Sequence, residues 1–161
     1  MQKAFTMIEL VFAIVVIGIL AAVAVPKLAP IIGSAQDAKV RSTIASVRSA
    51  ISTERQKRIL RGDFATPIAD LAFSRTGSGY NKPIFDYFDT NTSMPILEYP
   101  IRSCKSSTTS SSCWRSSSKD TYYYYGSNGH WIKFTLDTKG HFNCDPNAAH
   151  GKGAICRSMT E

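Results

Sequence analysis

Motifs that carry chemistry are scarce in this sequence. It has no GxSxG elbow, no HExxH pair, no phosphate-binding glycine loop and no paired carboxylates with an evident partner, and its three histidines (His130, His141 and His150) are scattered. Nothing here points to a hydrolase, a metalloprotease or a nucleotide-dependent enzyme, so the chain reads as non-enzymatic, with no cofactor and no assigned metal. Acid is scarce too, and unevenly so. From Phe5 to Val25, 21 residues hold Glu9 as the only charge and Thr6 as the only other polar side chain.

A helix of 21 residues is about 32 Å long at ~1.5 Å per residue, which matches a bilayer core. A secretory signal peptide has an apolar stretch of roughly 7 to 15 residues and then a small-residue cleavage site. Here the run is longer and is followed by Pro26-Lys27-Leu28-Ala29-Pro30. An uncleaved anchor would fit the length, but it gives no reason for an acid at the head of the run, where an ionisable group is costly and marks function.

The residues Lys3-Ala4, then Phe5-Thr6-Met7-Ile8-Glu9-Leu10, then an unbroken apolar stretch with Gly18, Ala21 and Ala22, and finally Pro26, resemble the N-terminal signal of type IV pilins and of the pseudopilins of type II secretion. The resemblance implies that a prepilin peptidase cuts between Ala4 and Phe5 at the cytoplasmic face of the membrane and methylates the new amine. Residue 4 is Ala where the family usually has Gly. The resemblance also implies a role for Glu9, which in that family pairs with the N-terminal amine of a neighbouring subunit. A buried acid in an apolar bundle needs a cation, and removing either partner strands the other. On this reading Phe5 and Glu9 act in assembly.

Charge divides the rest of the chain. The formal net charge of +7 suggests a nucleic-acid partner until it is located. Lys27 to Arg61 contains eight Lys or Arg against Asp37 and Glu54, a balance of +6, whereas Gly62 to Glu161 has ten basic and nine acidic residues. Val40, Ile44, Val47 and Ile51 recur at helical spacing on one stripe, and Arg41, Arg48 and Arg55 line another at a spacing of seven. The expected organisation is a leader (residues 1–4), a hydrophobic helix (5–26), an amphipathic helix (27–61) and a globular head (62–161). Gly18, Pro26 and Pro30 are expected to loosen or kink the helix, which should end near Arg61-Gly62. The positive-inside rule does not by itself place the head outside, because Lys27, Lys39 and Arg41 lie on the far side of the run.

Four cysteines, an even number gathered between residues 104 and 156, favour export and a disulfide framework. Of three possible pairings the local closures are Cys104 with Cys113 and Cys144 with Cys156. Zinc held by His141, Cys144, His150 and Cys156 is an alternative whose residue types suit the metal and whose spacing does not. Calcium held by Asp137, Asn143, Asp145 and Asn147, prompted by calcium sites in some pseudopilin heads, lacks a complete loop motif.

Strand signals occur at Thr121 to Tyr125, Trp131 to Leu136 and His141 to Cys144, with turns at Ser127-Asn128-Gly129 and Asp137 to Gly140. Three antiparallel strands on the second half of the long helix predict an α+β, pilin-like head. Phe64 to Phe73 is expected to form a short helix. Ser103 to Ser118, with eleven Ser or Thr in sixteen residues, is expected to be an exposed loop. Alternate members of Tyr122 to Tyr125 should cover the helix and leave two half-exposed, in preference to a stacking site for bases or sugars. Asn91, in Asp89-Thr90-Asn91-Thr92-Ser93, begins a glycosylation acceptor.

Two functions remain. One is a structural subunit of a type IV pilus-like filament or of a secretion or competence pseudopilus. Its partners would be copies of itself or related pilins, the prepilin peptidase, an inner-membrane platform protein, an assembly ATPase and membrane lipid. It would sit in the bacterial inner membrane with a periplasmic head before entering the filament. The plain, small head leans slightly toward the pseudopilus. The other is a membrane-tethered binding protein, for DNA in particular, using Arg41, Arg48 and Arg55.

Overall fold

The computed structural model describes residues 5–72, 80–89, 94–105, 112–126, 131–146 and 156, the side chains of residues 29, 30 and 32 excepted. The chain forms two compact units, Met1–Ala38 and Lys39–Glu161. Helix α1, Met7–Leu60, supplies all the described residues of the first beyond Phe5 and Thr6, and the first element of the second. It continues through Gly18, Pro26 and Pro30 without a break in secondary structure, since proline removes one N–H while its fixed φ remains compatible with helix.

Among the described residues of the first unit, the large apolar side chains are exposed. Phe5, Met7, Ile8, Phe12, Ile17 and Leu20 are all exposed, as are Val23, Val25 and Leu28. Met7–Leu28, 22 residues, is long and apolar enough to cross a membrane, and none of it is buried.

The second unit has a core. Val40, Ile44, Val47 and Ile51 are buried as one stripe of α1, as their spacing requires. Strands β1 (Pro83–Ile84) and β2 (Ile101–Arg102) make a two-stranded antiparallel ribbon. A second antiparallel sheet has the order β3 (Cys113–Ser116), β4 (Thr121–Tyr125), β5 (Trp131–Leu136), β6 (Phe142–Cys144). Its inner face presents Trp114, Tyr122, Tyr124, Ile132, Phe134, Leu136 and Phe142 to the core. Phe134 and Phe142 stack at 5.2 Å between centroids, and Phe85 meets Trp114 edge-on at 5.2 Å. Contacts of this kind add about 0.5 to 1.5 kcal/mol each beyond area burial. Tyr123 and Tyr125 lie half-exposed on the other face, so the tyrosine run does alternate as a strand.

The structure corrects four expectations. Among the described residues the sheet has four strands, because Cys113–Ser116 pairs with β4 in the register Trp114 with Tyr124. The serine-rich stretch is therefore not all exposed loop. Trp114 supplies a buried anchor, and Ser103 is buried where its hydroxyl accepts from the Lys82 N–H at 2.9 Å. Residues 64–72 form no helix. Their amides are taken by side chains elsewhere: Ala69 and Asp70 donate to Asp89 Oδ1 at 2.7 and 2.8 Å, and Leu71 donates to the Tyr122 hydroxyl at 2.8 Å. Finally, His141 precedes β6 and does not begin it, because its N–H donates to Asp137 Oδ1 at 2.7 Å.

Helix α1 ends where glycine permits it. Gly62 has φ +81°, and the Gly62 and Asp63 N–H groups donate to the Ile59 and Arg58 carbonyls, both at 2.9 Å, the bonding pattern of a Schellman cap.

Candidate functional site

The N-terminal end of α1 is built by a reciprocal cap. Thr6 is the residue before the first helical turn, and its hydroxyl accepts from the Glu9 N–H at 3.4 Å. Glu9 Oε2 accepts from the Thr6 N–H at 3.1 Å and from the Thr6 hydroxyl at 2.9 Å. This is a capping box of the T-x-x-E kind. The sequence signature of that cap is Thr6-Met7-Ile8-Glu9, set at the head of the apolar run. Phe5 stands beside it, 87% exposed. Ala4 lies outside the described residues. The site thus presents one carboxylate, ordered by its own helix, at the head of an uncovered apolar rod.

The arginine stripe behaves differently from a solvated or DNA-facing row. Arg48 Nε donates to the Phe142 carbonyl at 2.9 Å and its Nη2 to Asn143 Oδ1 at 3.1 Å. Arg55 Nη1 donates to the Lys139 carbonyl. Burial lowers the Arg48 pKa from its ordinary value. Arg48 ties β6 to the helix and Arg55 ties the β5–β6 turn to it, around an open cleft of about 510 Å³ that Lys139 and His141 also line. Arg41 remains exposed.

A second cluster, missed in the sequence, sits at the other end of the helical stripe. Glu54 is 4% exposed and takes the Arg58 Nε at 2.9 Å. Arg58 Nη2 reaches Asp89 Oδ2 at 2.9 Å and its Nη1 the Pro67 carbonyl at 3.0 Å. Burial pulls the Arg58 pKa down, but its bonds to Asp89 and Glu54 outweigh that and leave it raised. The signal available was Glu54 four residues ahead of Arg58, a favourable helical pair.

Disulfides join Cys104 with Cys113 and Cys144 with Cys156, with Cα separations of 5.2 and 5.8 Å. The second bond consumes both thiols of the zinc alternative. The calcium alternative loses its oxygens to protein partners: Asp137 holds the Lys139 and His141 N–H groups and the His141 ring, Asn143 holds Arg48, and Asp145 faces Lys133. Asn91, Asn147, His130 and His150 lie outside the described residues. Among the described residues, no group of three His, Cys, Asp or Glu is placed to hold a metal ion.

Residues 1–25 match the family model of the prokaryotic N-terminal methylation motif. The chain is 48% identical over 69 residues to the type IV narrow pilus major component PilA5 of Thermus thermophilus, covering 40% of this chain and 60% of that protein. It is 43% identical over 53 residues to the type IV major fimbrial protein FimA of Dichelobacter nodosus, covering 33% and 34%. Against a fimbrial protein of Moraxella nonliquefaciens it is 44% identical over 92 residues, covering 57% and 59%. The matched segments thus span about 60% or less of each relative's length. No solved structure matches the chain significantly.

Proposed function

We propose that this chain, a type IV pilin by its N-terminal segment, is a structural subunit of a type IV pilus-like filament. The observation that carries the reading is the rod Met7–Leu28, unburied along its whole length, with Glu9 ordered at its head. An apolar surface of that extent is stable in lipid or against copies of itself, not in water. Cleavage between Ala4 and Phe5 by a prepilin peptidase would create a cationic amine four residues from the carboxylate. In a bundle of such rods the amine of one subunit and the Glu9 of a neighbour neutralise each other, which fixes the register. The subunit waits in the inner membrane with its disulfide-bonded head on the periplasmic side. A platform protein and an assembly ATPase then draw it into the filament.

The named relatives are pilus and fimbrial proteins, which favours a surface pilus over the secretion or competence pseudopilus toward which the plain head leaned. A tethered DNA binder working through Arg41, Arg48 and Arg55 is the weaker reading, because two of those three side chains spend donors on the head's own backbone. Glu9→Ala separates the two. A filament subunit with this change remains in the membrane with Phe5 at its N-terminus and disappears from sheared surface filaments. Undiminished recovery in filaments would refute the pairing.

A further inference from the structure

The cleft beside the β5–β6 turn gathers basic side chains. Its polar lining is Arg48, Ser52, Arg55, Lys139, His141 and Asn143, and none of the described residues that line it is acidic. Its volume of about 510 Å³ falls within the range of about 300 to 1,000 Å³ typical of small-molecule sites. The guanidinium groups are anchored by neutral oxygens. Arg48 Nε donates to the Phe142 carbonyl at 2.9 Å and Arg55 Nη1 to the Lys139 carbonyl. A neutral acceptor fixes a guanidinium in place and leaves its charge uncancelled.

Two cations elsewhere on the head meet carboxylates: Arg58 meets Glu54 and Asp89, and Lys133 faces Asp145. Arg55 and Lys139 have no carboxylate partner among the described residues. Asp137, just before Lys139 in the chain, is engaged by the Lys139 and His141 N–H groups and by His141 Nδ1 at 2.7 Å. Arg55 commits one of its five donors to the turn. Gly140 lets the backbone come close to that guanidinium, since a Cβ there would stand 3.6 Å from Arg55 Nη1.

We infer that this cleft is a binding site for a small anion with a terminal phosphate or carboxylate group, held by the Arg55 fork and the Lys139 ammonium, with Arg48 adding its charge. A guanidinium fork matches the oxygens of either group, and one already anchored by a carbonyl loses less freedom on binding. The cations converge on one cleft, so the ligand is compact and multiply charged. A neutral sugar would leave them unanswered, and a chain of singly charged phosphodiesters calls for cations set out along a groove. The site is independent of the filament reading.

The test uses the full chain, disulfides intact, in a non-ionic detergent. Inorganic phosphate and citrate are titrated in turn at constant ionic strength set with sodium chloride, and proton–nitrogen NMR spectra follow the Gly140 to Asn143 amides and the Arg55 Nε–H. The expected result is a saturable shift confined to these signals with at least one probe. Saturation by phosphate alone names a phosphate ligand, and saturation by citrate alone a carboxylate. Affinity should fall about fivefold in Lys139→Gln and stay unchanged in Lys119→Gln, an exposed lysine outside the cleft. Lys139 engages the head through its backbone N–H and carbonyl, which Lys139→Gln retains. Absence of a saturable shift with both probes overturns the inference, as does an affinity that Lys139→Gln leaves unchanged or that Lys119→Gln lowers equally.

Discussion

Replacing Arg58 by Met should be among the most damaging single changes to the head that leave its apolar core intact. Arg58 is 13% exposed and serves three acceptors on three segments: Glu54 on α1, the Pro67 carbonyl, and Asp89 beyond β1. Glu54, 4% exposed, would be stranded as a buried carboxylate, and breaking a buried pair from one side costs about 3 to 5 kcal/mol. Asp89 would lose less. It is a quarter exposed and keeps the Ala69 and Asp70 N–H groups, so its share falls in the range of about 0 to 1 kcal/mol for solvated pairs. The sum, discounted for the water that reaches Arg58 itself, is about 3 kcal/mol. For a unit of this size that lowers the thermal midpoint by about 12 °C at ~4 °C per kcal/mol. The assay is thermal unfolding of the detergent-solubilised full chain followed by near-ultraviolet circular dichroism, which reads the aromatic core. The double variant Glu54→Leu/Arg58→Met removes the stranded charge and should recover about 2 kcal/mol. A single variant that shifts the midpoint by no more than a degree or two, or a double variant no better than the single, would refute the account.

Gly140 has φ +82°, and a Cβ there would stand 3.3 Å from Ile51 Cγ2. Gly140→Ala should therefore cost about 1 to 2 kcal/mol by chemical denaturation. Replacing Cys104 and Cys113 together by Ser opens a loop of separation 9 and should destabilise by about 2.6 kcal/mol on the chain-entropy model, against about 2.8 kcal/mol for the pair Cys144 and Cys156. Near-equal losses are expected, and a tenfold disparity in the unfolding constants would contradict that model. Burial would raise the Asp137 carboxyl, but the His141 N–H and ring, with the Lys139 N–H, hold it lowered. A carboxyl depressed on folding contributes stability that is present above its unfolded value of about 3.9 and is lost as pH falls through the folded one. The protection of the Lys139 and His141 N–H groups from hydrogen exchange, taken relative to the intrinsic rate at each pH, should fall over that acid window. In Asp137→Asn that pH dependence should be absent.

The head's framework was readable because its strongest signals were periodic. Val40, Ile44, Val47 and Ile51 could be buried together only on a helix, and Tyr122 to Tyr125 and Trp131 to Leu136 alternate as strands must. Local chemistry was equally plain at Gly62 and Gly140, where the turns demand positive φ. What failed was composition used as a proxy for exposure. Ser103 to Ser118 looked like loop, yet one tryptophan was enough to draw Cys113–Ser116 into the sheet. Phe64 to Phe73 looked helical, but its partners, Asp89 and the Tyr122 hydroxyl, lie 20 and 51 residues away along the chain. Arg48 and Arg55 were misplaced for the same reason: their acceptors are carbonyls that no side-chain pattern announces.

Glu9 shows how one residue can satisfy two readings. As the fourth residue of T-x-x-E it closes the cap of its own helix through Oε2. As the only acid in an apolar run it is the group a neighbouring amine would seek. The uses need not exclude each other, since a carboxylate has two oxygens and room for several donors. They differ in what they require. The cap requires an acceptor, which glutamine supplies as well as glutamate, whereas the pairing requires a charge. Glu9→Gln should therefore keep the first turn of α1 and still deplete the subunit from sheared filaments, and Thr6→Ala should fray that turn while leaving the carboxylate free to pair. If Glu9→Gln assembles normally and Thr6→Ala does not, order at the helix end governs assembly, and the carboxylate's charge has no part in it.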